Sequence, residues 1–448
     1  MAALTFADLE IRSVFSIEKI LSCHFETAEN EHARLYFTAQ VECRQAREKI
    51  EGMLSGQKVS LHGRGESQPV FTGVIGRAAI EDAHGSYVLK AEVLSNTCQL
   101  DLVKKSRSFQ DTRMTYSQVV QSVLREYPKA GCVFKVGGEK AIGYPIIQYL
   151  ETDWEFLKRL ASHFNTSLFP ELHTGEPKLY FGLPQRETLH QEEISHYKVR
   201  VDEKYYRMGG ETLRYRKADF LHYLFESSEA YEVGDQVALK GRTLRVVRKY
   251  CRLDKDGEIL YTYDVGSVRL ASQLRRYNEK IAGMSLQGSV LETYSQMVKL
   301  HLDVDPQPTA AYPYCWAPAT GNLMYLMPKV GTRVALYVPS GDEGEARAVT
   351  CIRTNGGQNS ASMTDISRRG LVTEHDKQLQ LYADRLGLIG SGQEGTPSSI
   401  ILEDGKGIAL ESDYPISIFA KGNVNIGGKV VKFTCKTSVM AFSYTLYF

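Results

Sequence analysis

The feature that most constrains this chain is an eight-residue repeat of aliphatic side chains between Ser398 and Thr434. Two series recur every eight positions and run two residues apart: Ile400, Ile408, Ile416 and Val424, and Leu402, Leu410, Ile418 and Ile426. Side chains two positions apart on a strand face the same way, so each repeat predicts a three-residue strand with one aliphatic face. Segments rich in Gly, Asp, Asn and Pro separate the repeats and let the chain turn.

A strand with two aliphatic side chains cannot enclose a core by itself. Three copies wound around one axis could enclose a core together. In such a trimeric β-prism or β-helix the aliphatic side chains face inward, and the strand edges pair between chains. The alternative is an antiparallel meander that covers one side of an upstream domain. Meander strands usually have about five or six residues, which favours the prism.

Composition narrows the class of protein. The 448 residues suggest roughly three to four domains, and abundant tyrosine with recurrent Val, Ile, Thr and Phe predicts a mainly β chain. Lys and Arg number 54 against 53 Asp and Glu, so no basic footprint for nucleic acid is present. The eight cysteines form no C-x-x-C pair, and neither a disulfide framework, a metal site nor a cofactor is predicted.

Two features bear on localisation. The first residues, Met1 to Asp8, lack the basic region and apolar core of a signal peptide, and no apolar run reaches the length of a membrane span. Synthesis and assembly in the cytoplasm, without a cleaved signal, are therefore expected.

Strand and turn signals predict a mainly β architecture with a small α+β part. Two helices open with capping boxes, at Thr115–Gln118 and Thr152–Glu155. Five strands between Met284 and Arg353 suit an OB-fold barrel, with the third strand at Met324–Met327. The predicted segments are a first β-barrel (1–110), an α/β segment (111–195), a second β-barrel (196–278), the OB-fold (279–357), a linker (358–395), the octad-repeat spike (396–434) and an apolar tail (435–448).

The segment that opens the second helix carries a specific motif. Tyr149-Leu-Glu-Thr-Asp-Trp-Glu-Phe-Leu-Lys-Arg-Leu resembles the Y-x-E-[ST]-D-x-x-F-[LI]-x-R-L signature of the VgrG and phage late-control D family. The residues that carry this resemblance are Tyr149, Glu151, Asp153, Phe156 and Arg159.

A second motif lies in the OB-fold segment. Trp316, followed by Pro328 and Gly331 and then by Gly341 and Asp342, resembles the W … P-x-x-G-x-x-V-x-V-x-F … G-D pattern of the VgrG OB domain. The chain departs from this pattern in having Ala346-Arg347 where the family often has Arg-Pro.

The resemblance implies a homotrimeric spike-hub protein of a contractile injection machine, either type VI secretion-like or phage-tail-like. In this family two related barrels per chain form a pseudo-sixfold ring with two further copies. The hub caps the inner tube and contacts baseplate components, and the tip of the spike meets a target membrane only on puncture. The octad residues would form the trimer core of the spike.

The C-terminal tail has two interpretations of equal weight. Apolar residues recur every second position at Met440, Phe442, Tyr444 and Leu446, and Tyr447 and Phe448 follow. The tail either forms a last strand that caps the rod or uses Phe442, Tyr444, Tyr447 and Phe448 to dock a PAAR-like tip protein or an effector cargo.

No catalytic residue is predicted, since the histidines are scattered and no H-E-x-x-H, Walker or Rossmann motif is present. Two rival functions remain. One is a baseplate hub with peptidoglycan-hydrolase activity, for which the 356–395 gap is too short. The other is an extracellular adhesion or tail-fibre protein, which fits the missing signal peptide and the capped helices poorly.

Overall fold

A computed structural model of the chain describes residues 8–42, 57–83, 86–191, 194–253, 258–308, 312–321, 325–352, 365–373, 375–390 and 398–434. The chain divides into two compact units, residues 1–353 and residues 354–448. They are called the N-terminal and the C-terminal unit below, and each is described by itself.

The N-terminal unit begins with antiparallel strands whose side chains alternate between buried and exposed, the pattern of a sheet with one face on a core. Phe25, Leu35, Phe71 and Leu89 are fully buried in this core. The six strands are β1 (Leu9–Arg12), β2 (Ile17–Thr27), β3 (Arg34–Val41), β4 (Lys58–Gly63), β5 (Pro69–Ala83) and β6 (Ser86–Ser95).

An α/β segment follows and contains the two helices that the capping boxes predict. The Thr115 and Thr152 side chains accept the backbone N–H of the residue three positions on, and the returning Gln118 and Glu155 side chains complete both boxes. Its elements are β7 (Lys104–Phe109), α1 (Tyr116–Leu124), β8 (Gly131–Phe134), β9 (Ile146–Thr152), α2 (Asp153–Ser162), β10 (Leu168–Pro170) and β11 (Lys178–Phe181). The apolar faces of α1 and α2 share one core with Phe109 and Phe181.

The strands predicted for the second barrel are present too, and they join the first set in one sheet. A short strand that was not predicted, β12 (Leu189–His190), precedes them. The predicted strands are β13 (Lys198–Val201), β14 (Leu221–Ser227), β15 (Gln236–Leu239), β16 (Arg242–Leu253) and β17 (Ile259–Gly266), with a short helix α3 (Lys204–Arg207) after β13. The sheet order is β1-β4-β5-β6-β3-β2-β16-β17-β14-β13, with β15 beside β16 and β12 beside β15. The end of β2 pairs with β16, so both strand sets share one core, which includes Phe25 and Tyr261.

The OB-fold segment forms a five-stranded sheet in the order β20-β19-β18-β21-β22. Its strands are β18 (Ser285–Tyr294), β19 (Met297–Leu302), β20 (Pro313–Cys315), β21 (Arg333–Tyr337) and β22 (Arg347–Cys351). A bridge between Trp316 and Ala348 joins the two ends and closes the barrel.

One predicted strand of this barrel is wrong. Residues 325–327 are not a strand, and Pro313–Cys315 takes the third place. Tyr325 and Leu326 are both exposed, so this apolar run lacks a buried face, whereas Tyr314 fills the barrel core.

The C-terminal unit is an antiparallel meander of five strands: β23 (Arg369–Val372), β24 (Lys377–Leu381), β25 (Arg385–Gly390), β26 (Ser398–Glu403) and β27 (Gly407–Glu411). Three of these strands lie inside the predicted linker, because Leu379/Leu381 and Leu386/Leu388 continue the two-residue spacing of the octads. The first two octads fall on β26 and β27, which have six and five residues rather than three. Residues 412–434 contain no helix or strand.

Candidate functional site

The first family motif surrounds a buried guanidinium. Arg159 of α2 is only 2% exposed and donates through Nε and Nη2 to the two carboxylate oxygens of Glu151, at 2.9 and 2.8 Å. Its Nη1 donates to Oε1 of Glu343, at 2.7 Å, and Nη2 also donates to the carbonyl of Ile147. This two-pronged geometry is one that arginine provides and lysine does not.

Glu343 belongs to the OB-fold segment, so this network joins two parts of the N-terminal unit. Its Oε1 also accepts the backbone N–H of Ile147 at 3.2 Å, and Ile147 packs into the OB core. Burial raises the pKa of Glu151, although Arg159 opposes this shift. Burial opposes the charge of Arg159, yet Glu343 and Glu151 raise its pKa overall. The single cation of Arg159 therefore pairs with two buried carboxylates, those of Glu151 and Glu343.

Asp153 has a separate set of partners at the first turn of α2. It is fully buried and accepts from Lys105 Nζ and Tyr127 Oη, both at 2.7 Å, from Gln148 Nε2 at 2.9 Å, and from Arg107. Burial alone would raise the pKa of Asp153, but the hydrogen bonds from Lys105 and Gln148 outweigh it and lower the pKa. The Asp of the motif thus anchors the helix start to β7 and β9.

Tyr149 and Phe156 have packing roles. Tyr149 packs against the OB core, and its carbonyl accepts from Asn278 Nδ2 at 2.9 Å. Phe156 is fully buried, stacks on Phe109 and lies beneath the Arg159 guanidinium at 5.2 Å from its ring centre.

The second motif shapes the OB barrel. Trp316 is buried and donates through Nε1 to the carbonyl of Leu326 at 2.9 Å. Pro328 is buried just before a turn in which Gly331 has a φ of +82°, which favours glycine.

Gly341 and Asp342 position the loop that carries Glu343. A Cβ at Gly341 would lie 2.8 Å from Cβ of Tyr277, so the close approach requires glycine. The Asp342 carboxylate accepts the backbone N–H of Gly344 at 3.0 Å and caps the turn that begins at Glu343. Sequence reasoning did not identify Glu343, although an acid directly after Gly-Asp was the available signal.

A second polar contact holds the OB barrel against β7. The Asp305 carboxylate accepts the backbone N–H of Ser108 at 2.7 Å and the hydroxyl of the same residue, and all these groups are buried. Gln110 donates to the carbonyl of Leu300 at 3.2 Å. The barrel is thus fixed to the α/β segment by directional bonds as well as by apolar packing.

The octad residues of the first two repeats share one face of the C-terminal sheet. Ile400 lies opposite Leu410, and Leu402 lies opposite Ile408, in the pairing of β26 with β27. The register extends this face across all five strands in two rows. The first row is Leu371, Leu379, Leu388, Ile400 and Leu410, and the second is Leu381, Leu386, Leu402 and Ile408. We call these nine side chains the aliphatic face.

The later octad residues, Ile416, Ile418, Val424 and Ile426, lie in the segment without regular structure and are all exposed in the single chain. Ile416 lines a groove of about 620 Å³ above the aliphatic face, together with Leu388 and Ile400. Phe442, Tyr444, Tyr447 and Phe448 lie outside the described residues.

Two further observations concern metal binding and membrane spans. Within the described ranges, no group of three or more His, Cys, Asp or Glu side chains could hold a metal ion. No helix in the same ranges is long and apolar enough to cross a membrane.

Comparisons with known proteins agree with this architecture. Residues 31–181 match the family model described as phage tail baseplate hub (GPD). The comparison with curated proteins found no match.

Two of the solved structures that match cover most of the chain. One is the Escherichia coli c3393 protein, described as a component of the type VI secretion system with structural similarity to the T4 bacteriophage tail proteins gp27 and gp5. It has a TM-score of 0.56 at 13% identity, over 77% of this chain and 99% of that chain. The other is a chain of the Francisella PdpA-VgrG complex in its half-lidded form, with a TM-score of 0.56 at 8% identity over 90% of this chain and 87% of that chain. At these identities the likeness concerns the fold.

The fold resembles that of solved proteins from type VI secretion, and residues 31–181 match the phage tail baseplate hub (GPD) model. The resemblance to the VgrG and phage late-control D family is thereby confirmed.

Proposed function

We propose that this chain is the homotrimeric spike-hub protein at the tip of a contractile injection machine, where it caps the inner tube and its C-terminal unit punctures the target membrane. The observation that carries the proposal is the aliphatic face, on which seven of the nine side chains are exposed in the described part of the C-terminal unit. Ile408 is 72% exposed and Leu410 is 52% exposed in the single chain. An aliphatic face of this extent on a small sheet is typical of an interface.

A second and a third copy would supply the missing cover. Burial of each Leu or Ile side chain contributes roughly 1.5–3 kcal/mol, so nine of them in each of three chains can offset the loss of freedom on association. A closed threefold arrangement also gives every copy the same contact. The groove beside Ile416 would then be filled by side chains of the other copies.

The partners follow from this role. The hub contacts the inner-tube protein and baseplate components, and a PAAR-like tip or an effector cargo docks at the C-terminal end. Nucleic acid is not a partner, and the membrane is met only during puncture. Assembly takes place in the cytoplasm, and the protein leaves the cell with the apparatus. Its work is mechanical, and no residue has a catalytic role.

Immunogold electron microscopy of contractile particles from the producing cell tests the proposal. An antibody against the N-terminal unit should place gold at one end of each inner tube, and particles from a strain without this gene should carry no gold. Gold spread along the tube or sheath would contradict the role as a tip.

A further inference from the structure

A groove of about 630 Å³ opens at one end of the strands β15, β16 and β17. Its walls come from the segment that joins β13 to β14, from the hairpin of β15 and β16, and from the residues that follow β17. Three arginines, Arg216, Arg242 and Arg245, line the groove, and Asp219 is the single carboxylate among the described residues of the lining. The groove therefore has an excess of positive charge.

The Asp219 carboxylate is already paired with two cations. It is buried, accepts from Nη2 of Arg216 at 3.0 Å and lies 3.6 Å from Nε of Arg269. Arg269 stands directly after Val268 of the lining, and its guanidinium lies over the ring of Tyr215 at 5.0 Å. Because two arginines share one carboxylate, one positive charge remains on this pair.

The other two arginines of the groove donate to neutral acceptors. Nη1 of Arg242 donates to the hydroxyl of Tyr223 at 3.4 Å. Nη1 of Arg245 donates to the carbonyls of Arg186 and Gly234, at 3.0 and 2.7 Å, and these two bonds hold the side chain in place. Neutral acceptors leave the charge of a guanidinium uncompensated. Four arginines against one aspartate thus give the groove and its rim a net charge of +3.

A neighbouring arginine of the same strand shows the usual arrangement in this chain. Arg248 of β16 forms two hydrogen bonds of 2.8 Å with the carboxylate of Glu29. Arg242 and Arg245, at the start of β16, bond to no carboxylate in the described part of the chain. Unpaired positive charge is therefore concentrated at one end of the strand, where it attracts negatively charged groups.

The chemistry of the groove favours carboxylates on a peptide over the phosphates of a nucleic acid. A guanidinium presents paired N–H groups that match the two oxygens of a carboxylate. None of the described residues of the lining is an aromatic side chain on which a base could stack. The chain as a whole has 54 basic and 53 acidic residues, so no extended basic stripe is available to follow a phosphate backbone.

We propose that this groove binds an acidic segment of another protein, whose Asp and Glu carboxylates pair with Arg216, Arg242 and Arg245. The inference goes beyond the proposed spike role, because the groove lies within one chain and requires neither three copies nor puncture of a membrane. A chain that proved to be a monomer would still bind the acidic segment.

Fluorescence anisotropy of labelled hexaglutamate, titrated with the full-length chain at low ionic strength, tests the proposal. The parent chain should bind the peptide, and added salt should weaken the binding because the groove is exposed. Arg216→Gln combined with Arg242→Gln should weaken it roughly tenfold, since two charged donors are lost. The side chain of Arg216 is 81% exposed, so folding should not depend on it.

The matched control is Arg77→Gln combined with Arg113→Gln. These side chains are 88% and 86% exposed, each lies beside a carboxylate, and the change in net charge is the same. The control should weaken binding less than about twofold, because both arginines lie outside the groove. Equal weakening by both double variants would overturn the groove as the site.

Asp219→Asn gives a change in the opposite direction. The substitution keeps the shape of the side chain and removes the one negative charge of the described lining, so hexaglutamate should bind roughly threefold more tightly. Unchanged or weaker binding would contradict the proposed role of charge.

Three other results also overturn the proposal. The first is a parent chain that does not bind hexaglutamate. The second is a single-stranded oligonucleotide that binds more tightly than hexaglutamate and loses its affinity in the groove variant. The third is binding that appears only after Glu192→Gln with Glu193→Gln, which would assign the groove to an acidic segment of this chain. Light scattering of the same samples reports the number of copies separately.

Discussion

The buried arginine of α2 connects parts of the chain that the sequence alone could not bring together. The motif predicted Glu151 and Arg159 as family residues, and their spacing around a capped helix start is local information. Glu343 lies 184 residues further along, and no periodicity links it to Arg159. The packing of the OB barrel on the α/β segment creates this contact, so only the three-dimensional structure reveals it.

Removal of the Arg159 charge should destabilise the N-terminal unit strongly. Arg159→Met leaves two buried carboxylates without a cation, and loss of one member of such a network costs about 3–5 kcal/mol. Lys158→Met, one position along the same helix at a less buried site, should change the free energy of unfolding by about 0.5 kcal/mol or less. Urea unfolding of both variants measures the difference, and equal midpoints would refute the importance of the network.

His163 should make the N-terminal unit sensitive to mild acid. Burial, reinforced by Arg159 and Arg275, lowers its pKa from 6.5 to about 3. Its ring nitrogen Nδ1 instead lies 2.8 Å from the hydroxyl of Tyr116 and 3.3 Å from that of Tyr144. The unfolded chain binds a proton below pH 6.5 and the folded chain does not, so stability falls as the pH drops from 6.5 towards 3.

His163→Gln removes this titration and keeps a polar side chain. Urea midpoints at pH 7 and pH 5 should fall less in the variant than in the parent chain. Glu232 does not interfere with this comparison. Burial would raise its pKa, but Lys249 and His173 lower it to about 2, so Glu232 keeps its charge between pH 7 and pH 5 in both proteins. An identical loss between pH 7 and pH 5 would rule out His163 as the source.

At the scale of elements, local signals predicted most of the secondary structure. Both capping boxes, ten of the twelve strands of the large sheet and four of the five OB strands could be predicted from side-chain chemistry and spacing. The neighbours of each strand in the sheet could not be predicted, because the periodicity of a strand indicates which of its faces is buried and not which strand pairs with its edge. The junction of β2 with β16 and the third strand of the OB barrel depend on contacts far apart in the chain.

The bulge in β9 offers a test at this scale. Leu150 has a φ of +50° and an exposed side chain, and the pairing of β7 with β9 shifts register beside it. A left-handed conformation costs a non-glycine residue roughly 1–2 kcal/mol, so Leu150→Gly should be neutral or stabilise the unit by up to about 1 kcal/mol. Val133→Gly, an equally exposed site in β8, should destabilise it by about 1 kcal/mol. Thermal unfolding compares the two, and a larger loss for Leu150→Gly would contradict the strain.

At the scale of the whole molecule, the eight-residue spacing of the octad repeat is sufficient to predict an aliphatic face. The register of the C-terminal sheet places Ile400, Leu402, Ile408 and Leu410 together on that face. The repeat did not predict the length of the strands β26 and β27, nor the three strands β23, β24 and β25 that precede them. The trimer itself stays a proposal, because the aliphatic face of one chain does not determine how many copies cover it.

A substitution at Ile416 tests whether other copies of the chain cover the aliphatic face. Its side chain is 55% exposed in the single chain, so Ile416→Asp should be harmless if the protein is a monomer. In a trimer the substitution would bring three carboxylates towards one axis, at several kcal/mol for each unpaired charge. We expect residues from about 400 onward to become protease-sensitive while the N-terminal unit stays folded. Lys421→Asp is the surface control, and equal resistance of both variants in limited proteolysis would contradict the trimeric spike.

The most direct test of the central claim is the mass of the purified full-length chain in solution. Size-exclusion chromatography with multi-angle light scattering at micromolar concentration should give three times the chain mass of 50.3 kDa. The value should be independent of concentration, because a closed threefold arrangement leaves no contact for a further copy. A stable monomer at the same concentration would contradict the account.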